Sequence, residues 1–184
     1  MSPVRHVAFV RNIMVGRRGL TRDVLLDIFA TAGAMDTRSF IATGNFAFTS
    51  TAPSVHEVAA RVEAAIETVL GHREELFIRS VDELRGLDQA GFFTTGGALE
   101  DHVRVVTFLP DGVSWTAELP HTTPRGDIKI FAASGPNVFS LVRPVRGIAG
   151  SPNGPVERLL KVRATTRNWN TVERILWAEA QVLR

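Results

Sequence analysis

The spacing of apolar residues changes period several times along the chain, and each change marks an element. Val4 to Val10 is a β-branched and aromatic run closed by Arg11, the pattern of a buried strand. Glycines and charges then break the run, so Arg11–Gly19 is expected to be a loop. From Thr21, a good helix cap, Val24, Leu25, Ile28, Phe29 and Ala32 fall on one helical face, and Gly33 is placed to end it. Thr37–Ala42 and Phe46–Ser50 read as two strands, and Thr43-Gly44-Asn45 between them predicts a hairpin turn. Ser54 with Glu57 forms a capping box for a helix striped by Val55, Val58, Ala59, Val62, Ile66 and Val69 and terminated by Gly71. Leu76–Arg79 is a short strand. The order β-α-β-β-α-β is that of the split βαβ, ferredoxin-like unit, an antiparallel sheet with both helices on one face, and we assign residues 1–80 to it.

The second half, residues 81–184, is expected to be another α+β subdomain with an antiparallel or mixed sheet. Ser80 and Glu83 cap a short helix ending near Leu87, and a glycine-rich loop from Gly91 to Gly97 follows. Strands are expected at Val103–Leu109, Ile128–Ala133 and Val138–Val142, the last two joined by the turn Gly135-Pro136-Asn137. Two helices close the chain, about Pro155–Val162 and Asn168–Leu183. The last carries Trp169, Val172, Leu176 and Leu183 in one stripe, flanked by Ile175 and Val182, and Trp169 is expected to anchor it. This content is compatible with a degenerate copy of the first half, although no sequence repeat marks one.

Composition narrows the functional classes. A chain of 184 residues with 45% apolar content can build an ordinary core. It contains no cysteine, which excludes disulfides, thiolate metal sites and cysteine nucleophiles, and points to a reducing compartment. The apolar stretch before Arg11 is too brief for a signal segment or a membrane span, so a cytoplasmic protein is expected. Net charge is only +2, despite a pI near 9.9. Charge is unevenly spread, however. Between Arg125 and Arg174 there are nine Lys or Arg against three Asp or Glu, a local excess of six positive charges.

Catalytic signatures are missing from the sequence. The five histidines, His6, His56, His72, His102 and His121, lack the spacing of metal ligands, and no metal or cofactor is expected. Nucleophile-elbow, P-loop and dinucleotide-binding patterns do not occur. The adjacent carboxylates Glu74-Glu75 and Glu100-Asp101 are read as solvated. Three segments remain. The loop Arg11–Gly19 leads from a strand into a helix, so free N–H groups, the helix dipole and the cations Arg17 and Arg18 could hold an anion there; a plain surface turn explains the same residues. Asn45 could tip a polar group into a cleft beside that loop, whereas a turn requiring positive φ explains Gly44-Asn45 by itself. In Thr165-Thr166-Arg167-Asn168-Trp169-Asn170-Thr171, Thr or Asn can cap the last helix. Arg167 is then expected in its first turn, opposing the dipole by about 0.3–1 kcal/mol unless an anion offsets it.

These segments together resemble a known family. Phe9-Val10-Arg11-Asn12-Ile13-Met14-Val15-Gly16, Thr43-Gly44-Asn45-Phe46 and Thr165-Thr166-Arg167-Asn168-Trp169-Asn170-Thr171 look like the signature of bacterial domain-of-unknown-function family 1697, over nearly the whole chain. The family's first motif is closer to Leu-Arg-Gly-Ile-Asn-Val-Gly-Gly. Asn12 stands here in place of glycine, Met14 in place of asparagine and Arg17 in place of the second glycine. The resemblance implies a duplicated α+β architecture and no established activity.

Four functional classes follow. In the first, a small-molecule or anion-binding module, Arg11, Asn12, Gly16, Arg17, Arg18, Gly44, Asn45, Thr166, Arg167, Asn168 and Asn170 would converge on a phosphate or carboxylate. In the second, Arg143, Arg146, Arg158, Lys161 and Arg163 would contact nucleic-acid phosphates, although no recognition motif accompanies them. An enzyme of unidentified reaction and a protein-interaction module are the others.

Overall fold

The computed structural model describes residues 4–50, 55–94 and 101–182. Ser54, Gly96, Gly97, Glu100 and Leu183, to which the sequence assigns roles, lie outside the described residues. The chain divides into two units, residues 1–84 and 85–184.

In the first unit, β1 (Val4–Val10), β2 (Ala34–Phe40), β3 (Asn45–Ser50) and β4 (Leu76–Ser80) form a sheet in the order β2-β3-β1-β4 with every pairing antiparallel. The second half of the interior strand β1 is continuously apolar and has no exposed face: Val7, Ala8, Phe9 and Val10 are all fully buried. One face carries Ala8, Val10, Phe46 and Phe48, and on it pack Leu25 and Phe29 of α1 (Arg22–Thr31) and Val58, Val62 and Ile66 of α2 (Val55–Leu70). Phe29 stacks on Phe46 with centroids 4.8 Å apart. Each such side chain contributes about 1.5–3 kcal/mol by leaving water.

Helix ends follow local chemistry. Thr21 Oγ1 accepts from Val24 N at 3.2 Å, and Ser80 Oγ accepts from Glu83 N at 3.0 Å to start α3 (Val81–Gln89). Gly33 and Gly71 take left-handed φ after α1 and α2. The hairpin departs from expectation: β2 begins at Ala34, three residues early, and β3 begins at Asn45. A bulge between Met35 and Arg38, with Asp36 at φ 49°, breaks the side-chain alternation there.

The second unit holds β5 (Val103–Phe108), β6 (His121–Thr122), β7 (Ile128–Ser134), β8 (Asn137–Val142), α4 (Asn153–Leu160), β9 (Thr165–Asn168) and α5 (Trp169–Val182). Its sheet runs β6-β7-β8-β5-β9, again antiparallel throughout. Without β6, the four remaining strands repeat the order of the first sheet, and β6 stands in the crossover where the first unit has α1. Val105, Ile128, Ile130, Val138 and Val142 share a core with Val156 of α4. Trp169 opens α5 and meets the rings of Phe93 and Phe139.

Two strands, β6 and β9, are not predicted by the apolar pattern. The second matters most, because Arg167 belongs to β9 and not to the first turn of α5, which starts at Trp169. Backbone pairing explains the difference: β9 lies antiparallel to β5, with Val106 opposite Arg167 and Thr107 opposite Thr166. The supposed conflict between Arg167 and a helix dipole therefore does not arise. Neither unit has, among the described residues, a helix long and apolar enough to cross a membrane.

Candidate functional site

The loop following β1 is held by its own backbone. Arg11 N donates to Glu75 O at 2.9 Å, Val15 N to Ala42 O at 3.0 Å, Gly16 N to Leu20 O at 2.7 Å and Arg17 N to Met14 O at 3.2 Å. These N–H groups, expected to be open to a ligand, are committed to the fold. Arg17 and Leu20 bridge across a two-residue turn in which Arg18 (φ 52°) and Gly19 (φ 81°) are both left-handed. That geometry matches a type I′ hairpin turn, which favours Asn or Gly over Arg at its first central position. Both arginine side chains project outward, and neither has a hydrogen-bond or ion-pair partner among the described residues.

A single buried carboxylate organises what lies beneath. Glu74 is 7% exposed and sits just before β4. Arg11 approaches its Oε2 to 3.8 Å, His72 Nε2 its Oε1 to 3.4 Å, and the Asn12 amide donates to both oxygens at 3.3–3.4 Å. Asn12 reaches it from a left-handed backbone at φ 52°. Asn12, Ile13, Met14, Arg17, Arg18, Leu20, Leu70, His72 and Glu74 line a concavity of about 440 Å³. Glu74, expected from its neighbour Glu75 to be solvated, is instead buried, and His72, which no sequence motif marks, is its partner. A carboxylate placed between a helix-terminating glycine and an apolar strand was the available signal.

Gly44 and Asn45 support this loop from behind. Gly44 has φ +70°, and a Cβ there would meet Val10 O at 3.0 Å and Ile13 Cβ at 3.2 Å. The close approach lets Gly44 O accept from Val10 N at 2.8 Å. Asn45 is fully buried, its amide donating to Phe40 O at 3.1 Å and Thr43 Oγ1 at 3.0 Å.

The remaining candidates belong to the second unit. Thr166 Oγ1 donates to Asn153 Oδ1 and also contacts Thr107 Oγ1 at 2.8 Å. Having one hydroxyl proton, Thr166 must accept from Thr107, so a chain of hydrogen bonds ties β5 to β9 and α4. The Arg167 guanidinium donates to Thr165 Oγ1 at 2.7 Å and Thr166 O at 2.9 Å, and burial pushes its pKa down to about 10. Arg79 takes the matching place in the first unit, one residue before the end of β4, and donates to Ile78 O at 2.7 Å. Asn168 Oδ1 accepts from Asn170 N at 3.1 Å, and Asn170 Oδ1 accepts from Arg104 at 2.7 Å. Of the sequence candidates, Arg11, Asn12, Gly16, Arg17, Arg18, Gly44 and Asn45 belong to the first unit, and Thr166, Arg167, Asn168 and Asn170 to the second.

Comparison with known proteins bears on the fold. No curated protein matches the chain. The conserved bacterial protein SP0830 from Streptococcus pneumoniae has a similar structure, with a TM-score of 0.66 at 17% identity over 96% of this chain and 98% of that one. The model of the family described as "Protein of unknown function (DUF1697)" matches residues 4–139, which include both N-terminal motifs and stop before Thr165–Thr171. With most of its length matched, the chain belongs to the DUF1697 family.

Proposed function

We propose that the protein is a binding module for a small anion, a phosphate or a carboxylate, received in the concavity beside β1. The reading rests on the excess of guanidinium groups there: Arg17 and Arg18 line the concavity together with one carboxylate, Glu74, which Arg11 already approaches. Glu74 engages Arg11 and His72, which leaves the guanidinium groups of Arg17 and Arg18 at the rim for a ligand. A planar guanidinium matches the oxygen pairs of a carboxylate or phosphate, and two of them favour an anion over a neutral solute. Gly16, Gly44 and Asn45 serve the site by holding the loop.

The test is thermal unfolding in sodium phosphate, sulfate and acetate against sodium chloride of equal ionic strength. Binding to the native state raises the midpoint as RT ln(1 + [L]/Kd). A saturable rise with at least one of the three anions, lost in the R17Q/R18Q double variant, is expected. If every anion follows the chloride curve, or the double variant responds like the parent, the reading fails.

A further inference from the structure

A second concavity, wholly within the C-terminal unit and of about 640 Å³, has features of a ligand site that the charge count along the chain does not reveal. One wall is the turn residues Thr123, Pro124, Arg125 and Asp127, the other is the face of α4 bearing Pro155, Arg158 and Leu159, and Ile128 and Gly150 also line it. The turn wall is stiff. Gly126 N donates to Thr123 O at 2.8 Å, Thr123 N to Ile128 O at 3.0 Å, and Thr123 Oγ1 to Asp127 Oδ1 at 2.9 Å. Asp127 is 7% exposed and its Oδ2 lies 3.5 Å from Arg125 Nε, a contact that offsets the charge of that exposed guanidinium. Arg158 extends back along α4 until its NH1 lies 3.3 Å from where a Cβ on Gly154 would stand. Its guanidinium has no hydrogen-bond or ion-pair partner among the described residues.

We infer that this concavity binds a small organic anion, a carboxylate or phosphomonoester carried on a compact apolar body. Its volume falls in the range of small-molecule sites, roughly 300–1,000 Å³. Pro124, Ile128, Pro155 and Leu159 offer an apolar surface for the body. Of the two arginines, Arg125 is already balanced by Asp127, and Arg158 supplies the uncompensated charge that selects an anion. The inference concerns a different site from the loop concavity of the first unit and does not depend on it.

The experiment is a titration of the ¹⁵N-labelled full chain with benzoate and phenyl phosphate, using benzyl alcohol as the neutral control. Saturable shifts at the amides of residues 121–128 and 150–159 with at least one anion are expected, with affinity reduced at least tenfold for benzyl alcohol and for R158Q. Arg158 is exposed, so R158Q should keep the parent spectrum elsewhere and the parent melting temperature. R17Q/R18Q should titrate as the parent at these amides. Equal binding of benzyl alcohol, unchanged affinity in R158Q, or shifts confined to residues 11–20 would each overturn the inference.

Discussion

Replacing Gly44 by alanine separates backbone strain from steric contact at the base of the anion-site loop. At φ +70° any L-residue carries strain of about 1 kcal/mol. The new Cβ would also stand 3.0 Å from Val10 O and 3.2 Å from Ile13 Cβ, positions set by a central strand and a buried side chain that have little room to retreat. Crowding of this kind costs about 1–3 kcal/mol, so G44A should lose about 2–4 kcal/mol in total. Gly16 is the internal control, because at φ +90° it has nothing within 4 Å of an added Cβ and should lose only the strain, about 1 kcal/mol. Urea unfolding followed by circular dichroism measures both, and a shift in midpoint at constant slope reports stability alone. If G44A proves no less stable than G16A, the close approach is not what demands glycine at position 44. Because Gly44 O also holds Val10 N, G44A should weaken any phosphate response of the loop more than G16A does.

Further outcomes follow from other groups. E74Q keeps an acceptor for Asn12 and removes the negative charge among Arg11, Arg17, Arg18 and His72, so calorimetry should find phosphate bound several-fold more tightly, whereas E74A should also destabilise the fold by about 2–3 kcal/mol in urea. T166V leaves Thr107 Oγ1 and Asn153 Oδ1 without their shared partner and should cost about 1–2 kcal/mol by the same assay; a neutral result would show that the hydroxyl chain does not hold β9. His6 lies against Phe48 and burial lowers its pKa below 6.5 in the folded state. The unfolded chain then binds the proton more readily, so this residue's contribution to stability is intact above pH 6.5 and is lost as pH falls through the window below it. H6Q should flatten the stability profile between pH 7 and 5, and an unchanged slope would dismiss the assignment.

Elements whose signals are local were legible in the residues themselves. The apolar run of β1 and the apolar stripes of α1 and α2 need no distant partner to be recognised, and neither do the caps at Thr21 and Ser80 or the left-handed stops at Gly33 and Gly71. Hence the ferredoxin-like order of the first unit and the positions of Arg17 and Arg18 on an exposed turn could be read from the chain alone. Structure decided matters that depend on separated segments. Thr165–Asn168 is polar and short, and it becomes a strand because the edge of β5 supplies hydrogen-bond partners that no window around Arg167 contains. Likewise Glu74 looks solvated beside Glu75 and becomes a buried, partnered carboxylate only when the loop after β1 brings Arg11 and Asn12 to it from more than 60 positions away in sequence. Periodicity records which face of an element is apolar; which polar groups meet is settled by packing, where an unpaired buried charge or backbone group is too costly to leave.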